Sequence, residues 1–251
     1  MAFEKLHYLP IAIAVLFPVT FILSYSIAVA HEDVTPLFPY ISDTGTFSPE
    51  SCIFGQLLNL GALLVGFSAY FRYLQLRDLH QNNQVPFVVE RLNGKTCIMG
   101  LLAAFGISIV GNFQEKNALV VHLIGALLAF GVGGAYICLQ SYISFKIYPL
   151  LGNKTLNWIR VVLAAGTIIS FIFVFLFAVI AGVVGKNQGN ANSTKTINPM
   201  WKQDEAGWGW HFMSTLSEWI LAFCMLQYLS TFAHDFKRLS LHAITVSNKL
   251  K

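Results

Sequence analysis

Charge is what this sequence has least of: only 11% of its 251 residues are charged and 55% are hydrophobic, where soluble domains carry roughly a quarter charged residues. So little polar surface cannot coat a globule in water, which excludes a soluble enzyme or a soluble nucleic-acid-binding domain and makes the bilayer the expected solvent. The net charge of +4 comes from basic residues that flank apolar runs rather than cluster on a polar face, so no nucleic-acid partner is expected. Cysteine is scarce as well. Cys52, Cys97, Cys138 and Cys224 show no CxxC or Cys/His spacing, which argues against a disulfide framework and a zinc site. There is no HExxH pair and no GxSxG elbow, so no catalytic residue, no metal site and no cofactor is nominated. No internal repeat supports an inverted-repeat transporter.

What is present is a set of six apolar runs, at about 8–30, 52–73, 96–113, 118–145, 158–184 and 210–232. A span takes ~20 apolar residues, and in lipid each must be helical because no water reaches unpaired backbone groups. The expected fold is therefore all-α: one polytopic membrane domain over 1–251, a bundle of six transmembrane helices, with a short cytosolic tail at 234–251. The shortest run is followed by the longest, which predicts a tight turn at 114–117 and a tilted fourth helix. Glycines within the spans, among them Gly106, Gly111, Gly125 and Gly133, suit close helix packing.

The loops differ in charge. The N-terminus, 72–95, 146–160 and the tail hold 12 of the 16 basic residues, whereas 31–51 holds no Lys or Arg and carries Glu32, Asp33, Asp43 and Glu50. By the positive-inside rule both termini lie in the cytosol. Two sequons test this: Asn192 falls in a lumenal loop and is expected to be glycosylated, while Asn153 is cytosolic and is expected to stay bare. Ala28-Val29-Ala30 resembles a signal-peptidase site, but the preceding run exceeds the ~7–15 residues of a signal core.

Ionisable groups at membrane depth are costly and mark the first place to look for function. Glu218 lies about two turns into the sixth span, with His211 and Ser214 on the same helical face. His122 near the start of the fourth span, Asn112 and Gln114 at the end of the third, and Asp43 and Glu50 in the first lumenal loop fall at the same level. Together they predict one lumen-facing polar pocket. The plainest reading is a hydrogen-bond network tying helices together; a site for a lipid head group or small ligand ranks next, and catalysis last. His122, His211 and Glu218 form a two-histidine, one-carboxylate set, but lack the close ligand pair of a metal site. Trp158, Trp201, Trp208 and Trp210 at span edges read as an interfacial belt. His234, Lys237, Arg238 and His242 make a modest basic patch for anionic lipids.

The segments Pro39-Tyr40-Ile41-Ser42-Asp43-Thr44-Gly45-Thr46 and Pro49-Glu50-Ser51-Cys52-Ile53-Phe54-Gly55 resemble the DNA-damage-regulated autophagy modulator (DRAM) family, within the wider Frag1/DRAM/Sfk1 group related to the transmembrane 150 proteins. Asn112-Phe113-Gln114, His122 with Gly125-Ala126, Ser141-Tyr142-Ile143-Ser144, Glu218-Trp219 and Asp235-Phe236 extend the resemblance along nearly the whole chain. It implies six spans, lysosomal or endosomal residence and modulation of autophagy without obvious catalysis, with membrane lipids and proteins of the autophagy and lysosome machinery as partners. Oligomeric state does not follow from it. Two departures, the long 185–209 loop and a tail with no acidic-dileucine or Tyr-based sorting signal, keep the endoplasmic reticulum, Golgi and plasma membrane as alternative locations, and the end Ser247-Asn248-Lys249-Leu250-Lys251 resembles a basic retrieval signal. The alternative function is a lipid-handling or small-solute transport protein using the polar pocket.

Overall fold

The computed structural model describes residues 5–187 and 200–240, so Asn192 and the end of the tail lie outside the described residues. Six helices are long and apolar enough to cross a membrane: α1 Tyr8–Ala30, α2 Glu50–Gln81, α3 Phe87–Asn112, α4 Glu115–Lys146, α5 Lys154–Asn187 and α6 Trp208–Phe236. No strand occurs among the described residues.

α1 matches the expected run, but the other helices begin before or continue beyond theirs. The charges that end an apolar run do not end helical hydrogen bonding, which continues into the interface. α2 thus carries Arg72 inside the helix, and α5 carries Arg160. α6 turns at Thr231 and carries on to Phe236, with Asp235 and Phe236 buried. The expected tail from 234 therefore starts as part of the bundle. The reversal between α3 and α4 needs only Phe113 and Gln114, both in extended conformations.

The helices pack in chain order as a closed ring, α1 on α2, α2 on α3, α3 on α4, α4 on α5, α5 on α6, and α6 back on α1. Burial is inverted relative to a soluble bundle. Thr20, Ser24, Ser68, Thr96, Gln140 and Thr167 are buried, while Val120, Val162 and Val179 are more than 60% exposed. In lipid this is the cheap arrangement, because apolar side chains need no cover and polar ones need partners. Small residues set the helix spacing. A Cβ on Gly106 would lie 2.5 Å from the Ala129 nitrogen and 2.6 Å from the Gly125 oxygen, so α3 and α4 touch backbone to backbone there. α4 takes a π turn over Leu127–Val132, which includes Ala129 of this contact.

Leu6 of the N-terminal segment and Leu239 of the C-terminal one line one recess with Gln75, Asp78 and Arg238. The described chain ends therefore share one end of the ring. The loop 31–49, with its short 3₁₀ turn Asp43–Gly45, covers the other.

Candidate functional site

The loop 31–49 is held down by hydrogen bonds to three helices, α1, α4 and α6. Tyr25 Oη of α1 donates to Pro36 O at 2.6 Å, and Ser24 Oγ pairs with Thr44 Oγ1 at 2.9 Å. From α6, Trp219 Nε1 donates to Pro39 O at 2.9 Å, and Glu218 Oε2 accepts the Ile41 N–H at 2.7 Å. Tyr40 Oη donates to Ser214 Oγ at 2.7 Å, which in turn donates to Val174 O of α5 at 2.6 Å. Ser42 Oγ donates to Glu115 Oε2 of α4 at 3.3 Å. Gly45 is required where it stands, because any Cβ would overlap the Phe54 ring. A buried backbone N–H left unpaired is expensive, so Glu218 has a structural role in fixing Ile41 whatever else it does.

The helical face read from the sequence is real: His211, Ser214 and Glu218 all meet Tyr40 or Ile41. His211 is taken up by rings, stacked on Trp201 at 4.7 Å between centroids and edge-on to Tyr40 at 5.2 Å. His122 donates from Nδ1 to Phe113 O at 2.8 Å, pinning the α3–α4 turn, and lines the same cavity as Glu218. Asp43 is buried in the loop beside the carboxyls of Glu115 and Glu218. Its own carboxyl is pushed well above the usual range, first by burial and then by those two neighbours. Burial likewise pushes the Tyr40 phenol up.

Three predicted members stand apart from this group. Asn112 faces the outer α2–α3 groove, exchanging hydrogen bonds with Asn59 at 2.8 and 3.1 Å. Gln114 sits at the start of α4, accepting from Asn117 Nδ2 at 3.3 Å. Glu50 is fully buried in the first turn of α2, and its ionisable neighbours are Asp33 and His31. Among the described residues no three His, Cys, Asp or Glu side chains converge as a metal site. Glu115 and Tyr40 are pocket members that the sequence does not nominate, although Tyr40 stands in the motif 39–46 that carries the family resemblance.

A second polar cluster, also missed, lies at the end that carries the chain ends. Asp235 Oδ2 accepts from Arg72 Nη1 at 3.0 Å and from Arg160 Nη2 at 2.8 Å, with all three side chains fully buried. Arg72 also donates to Gln75 and Gln140, and Arg160 to Ser144 and Thr231. Both guanidinium groups lie over the Phe232 ring, 5.2 and 5.4 Å from its centroid. Counted from the sequence as loop charges, these two arginines are internal staples across α2, α4, α5 and α6. Only their position at the ends of the second and fifth apolar runs could be read in advance.

A family model described as the Frag1/DRAM/Sfk1/Cwh43P N-terminal domain matches residues 5–239. The chain is 38% identical over 228 residues to DNA damage-regulated autophagy modulator protein 1 of Homo sapiens, covering 91% of this chain and 90% of that protein. It is 32% identical over 238 residues to DNA damage-regulated autophagy modulator protein 2 of Homo sapiens, covering 95% and 86%. It is also 31% identical over 243 residues to the modulator of macroautophagy TMEM150B of Danio rerio, covering 96% and 90%. No solved structure matches it.

Proposed function

This chain belongs to the Frag1/DRAM/Sfk1/Cwh43P family, and from that premise we propose that it modulates autophagy from lysosomal or endosomal membranes, with both termini in the cytosol. The observation that carries this reading is its likeness, over nine-tenths or more of its length, to proteins named as autophagy modulators. It acts as a multi-pass helical membrane protein, without catalysis. The names of its relatives, which describe modulators, support that point. The cytosolic loops and termini recruit proteins of the autophagy and lysosome machinery, and the loop 31–49 forms the lumenal cap.

The test is a deletion cell line scored for autophagic flux, read as the accumulation of a lipidated autophagosome marker when lysosomal proteolysis is blocked. Flux that changes on deletion and recovers on re-expression supports the reading, as does co-fractionation with lysosomal membranes. Unchanged flux under starvation and DNA damage would sink it.

A further inference from the structure

Beneath the docked loop, inside the ring, lies an almost wholly apolar cavity of about 90 Å³. Its walls come from α1, α2, α3, α4 and α6, with Ile41 and Ser42 of the loop above. It is long and thin. The lining runs from Phe54 to Val65 along α2 and from Glu218 to Leu229 along α6, a depth of roughly 16 Å at the helical rise. That is about half of the ~30 Å hydrocarbon core, the depth of one leaflet.

The polar groups sit at one end only. Glu218 and His122 are each more than nine-tenths buried and line the cavity. Among the described residues, Glu218 Oε2 is engaged by Ile41 while Oε1 carries no hydrogen bond, and His122 Nδ1 is engaged by Phe113 while Nε2 carries none. The Asp43 and Glu115 carboxyls stand behind Glu218. A phosphate or carboxylate brought to this end would meet acids, whereas a hydroxyl, amide or amine would meet acceptors. About 90 Å³ is less than a ring system fills, so a single narrow chain is the occupant that fits, and the slit must open along its length to take more than a few methylenes. Met225, unbranched and on the wall, lets the slit widen by rotation.

We propose that this cavity binds the hydrocarbon chain of a single-chain amphiphile whose head carries no negative charge and donates a hydrogen bond to Glu218 Oε1 or pairs with His122 Nε2. The site stands on geometry alone and does not depend on the autophagy reading.

The test uses the full chain in detergent, photolabelled with a diazirine-bearing long-chain alkyl amine, the matching alcohol and the matching fatty acid. The amine and the alcohol are expected to label α2 and α6 around Leu58 and Met225. Filling the cavity from either wall, by Ala222→Leu or Ala126→Leu, lowers labelling about tenfold, while Ile220→Leu on the exposed face of α6 leaves it unchanged. Glu218→Gln, which still accepts from Ile41, erases the preference over the fatty acid. Labelling confined to exposed faces of α1 and α5 would mean an empty packing void and overturn the proposal. So would equal labelling by the fatty acid, or labelling undiminished in both filled variants. Should those variants fail to fold, the labelled positions in the unaltered chain decide between site and void.

Discussion

Asp235 meets two arginines through a single oxygen, in a place where no water relieves either charge. Removing it leaves Arg72 and Arg160 buried against each other, a cost of about 3–5 kcal/mol for a broken buried pair. Asp235→Ala is therefore expected to lower the yield of folded protein sharply and to drop the Tm measured in detergent. Asp235→Asn, which keeps one acceptor, falls between. Glu218 plays the corresponding part at the loop end. Glu218→Leu orphans the Ile41 N–H, worth about 1–3 kcal/mol locally, and amide exchange across 39–46 should quicken while the helices stay protected; equal protection in both proteins would show that the carboxyl does not hold the loop. Asp43 adds a pH dependence. Its folded value lies above the ordinary 3.8, so the folded loop holds the proton more tightly than the unfolded one. The stabilisation is full below the unfolded value and fades as pH rises through the raised folded value. Protease resistance of the loop should accordingly be greater in acid than at neutral pH, and Asp43→Asn should flatten that profile.

At the level of helices, close approach matters more than apolar content. α3 and α4 are joined by a two-residue reversal and by backbone contact at Gly106 and Gly125. Gly106→Ala would place a methyl against the Ala129 nitrogen and the Gly125 oxygen, atoms that move only if the helices part. Gly94, on the same helix, has open space within 4 Å, and there alanine gains about 1 kcal/mol of helix propensity. The pair makes an internal control: thermal stability in detergent should fall for Gly106→Ala and hold or rise for Gly94→Ala. Similar values for both would mean that the interface yields. Glycines in the spans were readable as packing residues, but not which of them bears contact, since that depends on the facing helix.

For the molecule as a whole, closure of the ring in chain order lets α2, α3, α4 and α5 follow one another through the short links 82–86, 113–114 and 147–153, and the two polar clusters lie at opposite ends of it. The orientation of that ring in the membrane is tested by its sequons. Endoglycosidase treatment should shift the mobility of the chain, the shift should vanish in Asn192→Gln, and Asn153→Gln should make no difference. Glycosylation at Asn153 instead would invert the topology.

What the sequence by itself determined is whatever a bilayer decides locally. Six apolar runs of spanning length must be helices, because nothing else satisfies the backbone in lipid, and charge alone separates the two sets of loops. The face shared by His211, Ser214 and Glu218 follows from helical periodicity in the same way. What only the tertiary structure decided is which polar groups meet. Asp235 reaches across 163 residues to Arg72 and 75 to Arg160, and Glu218 across 177 to the Ile41 amide. Such pairings are set by the order of helices around the ring and by their rotation about their own axes, and neither quantity leaves a mark in the periodicity of a single helix.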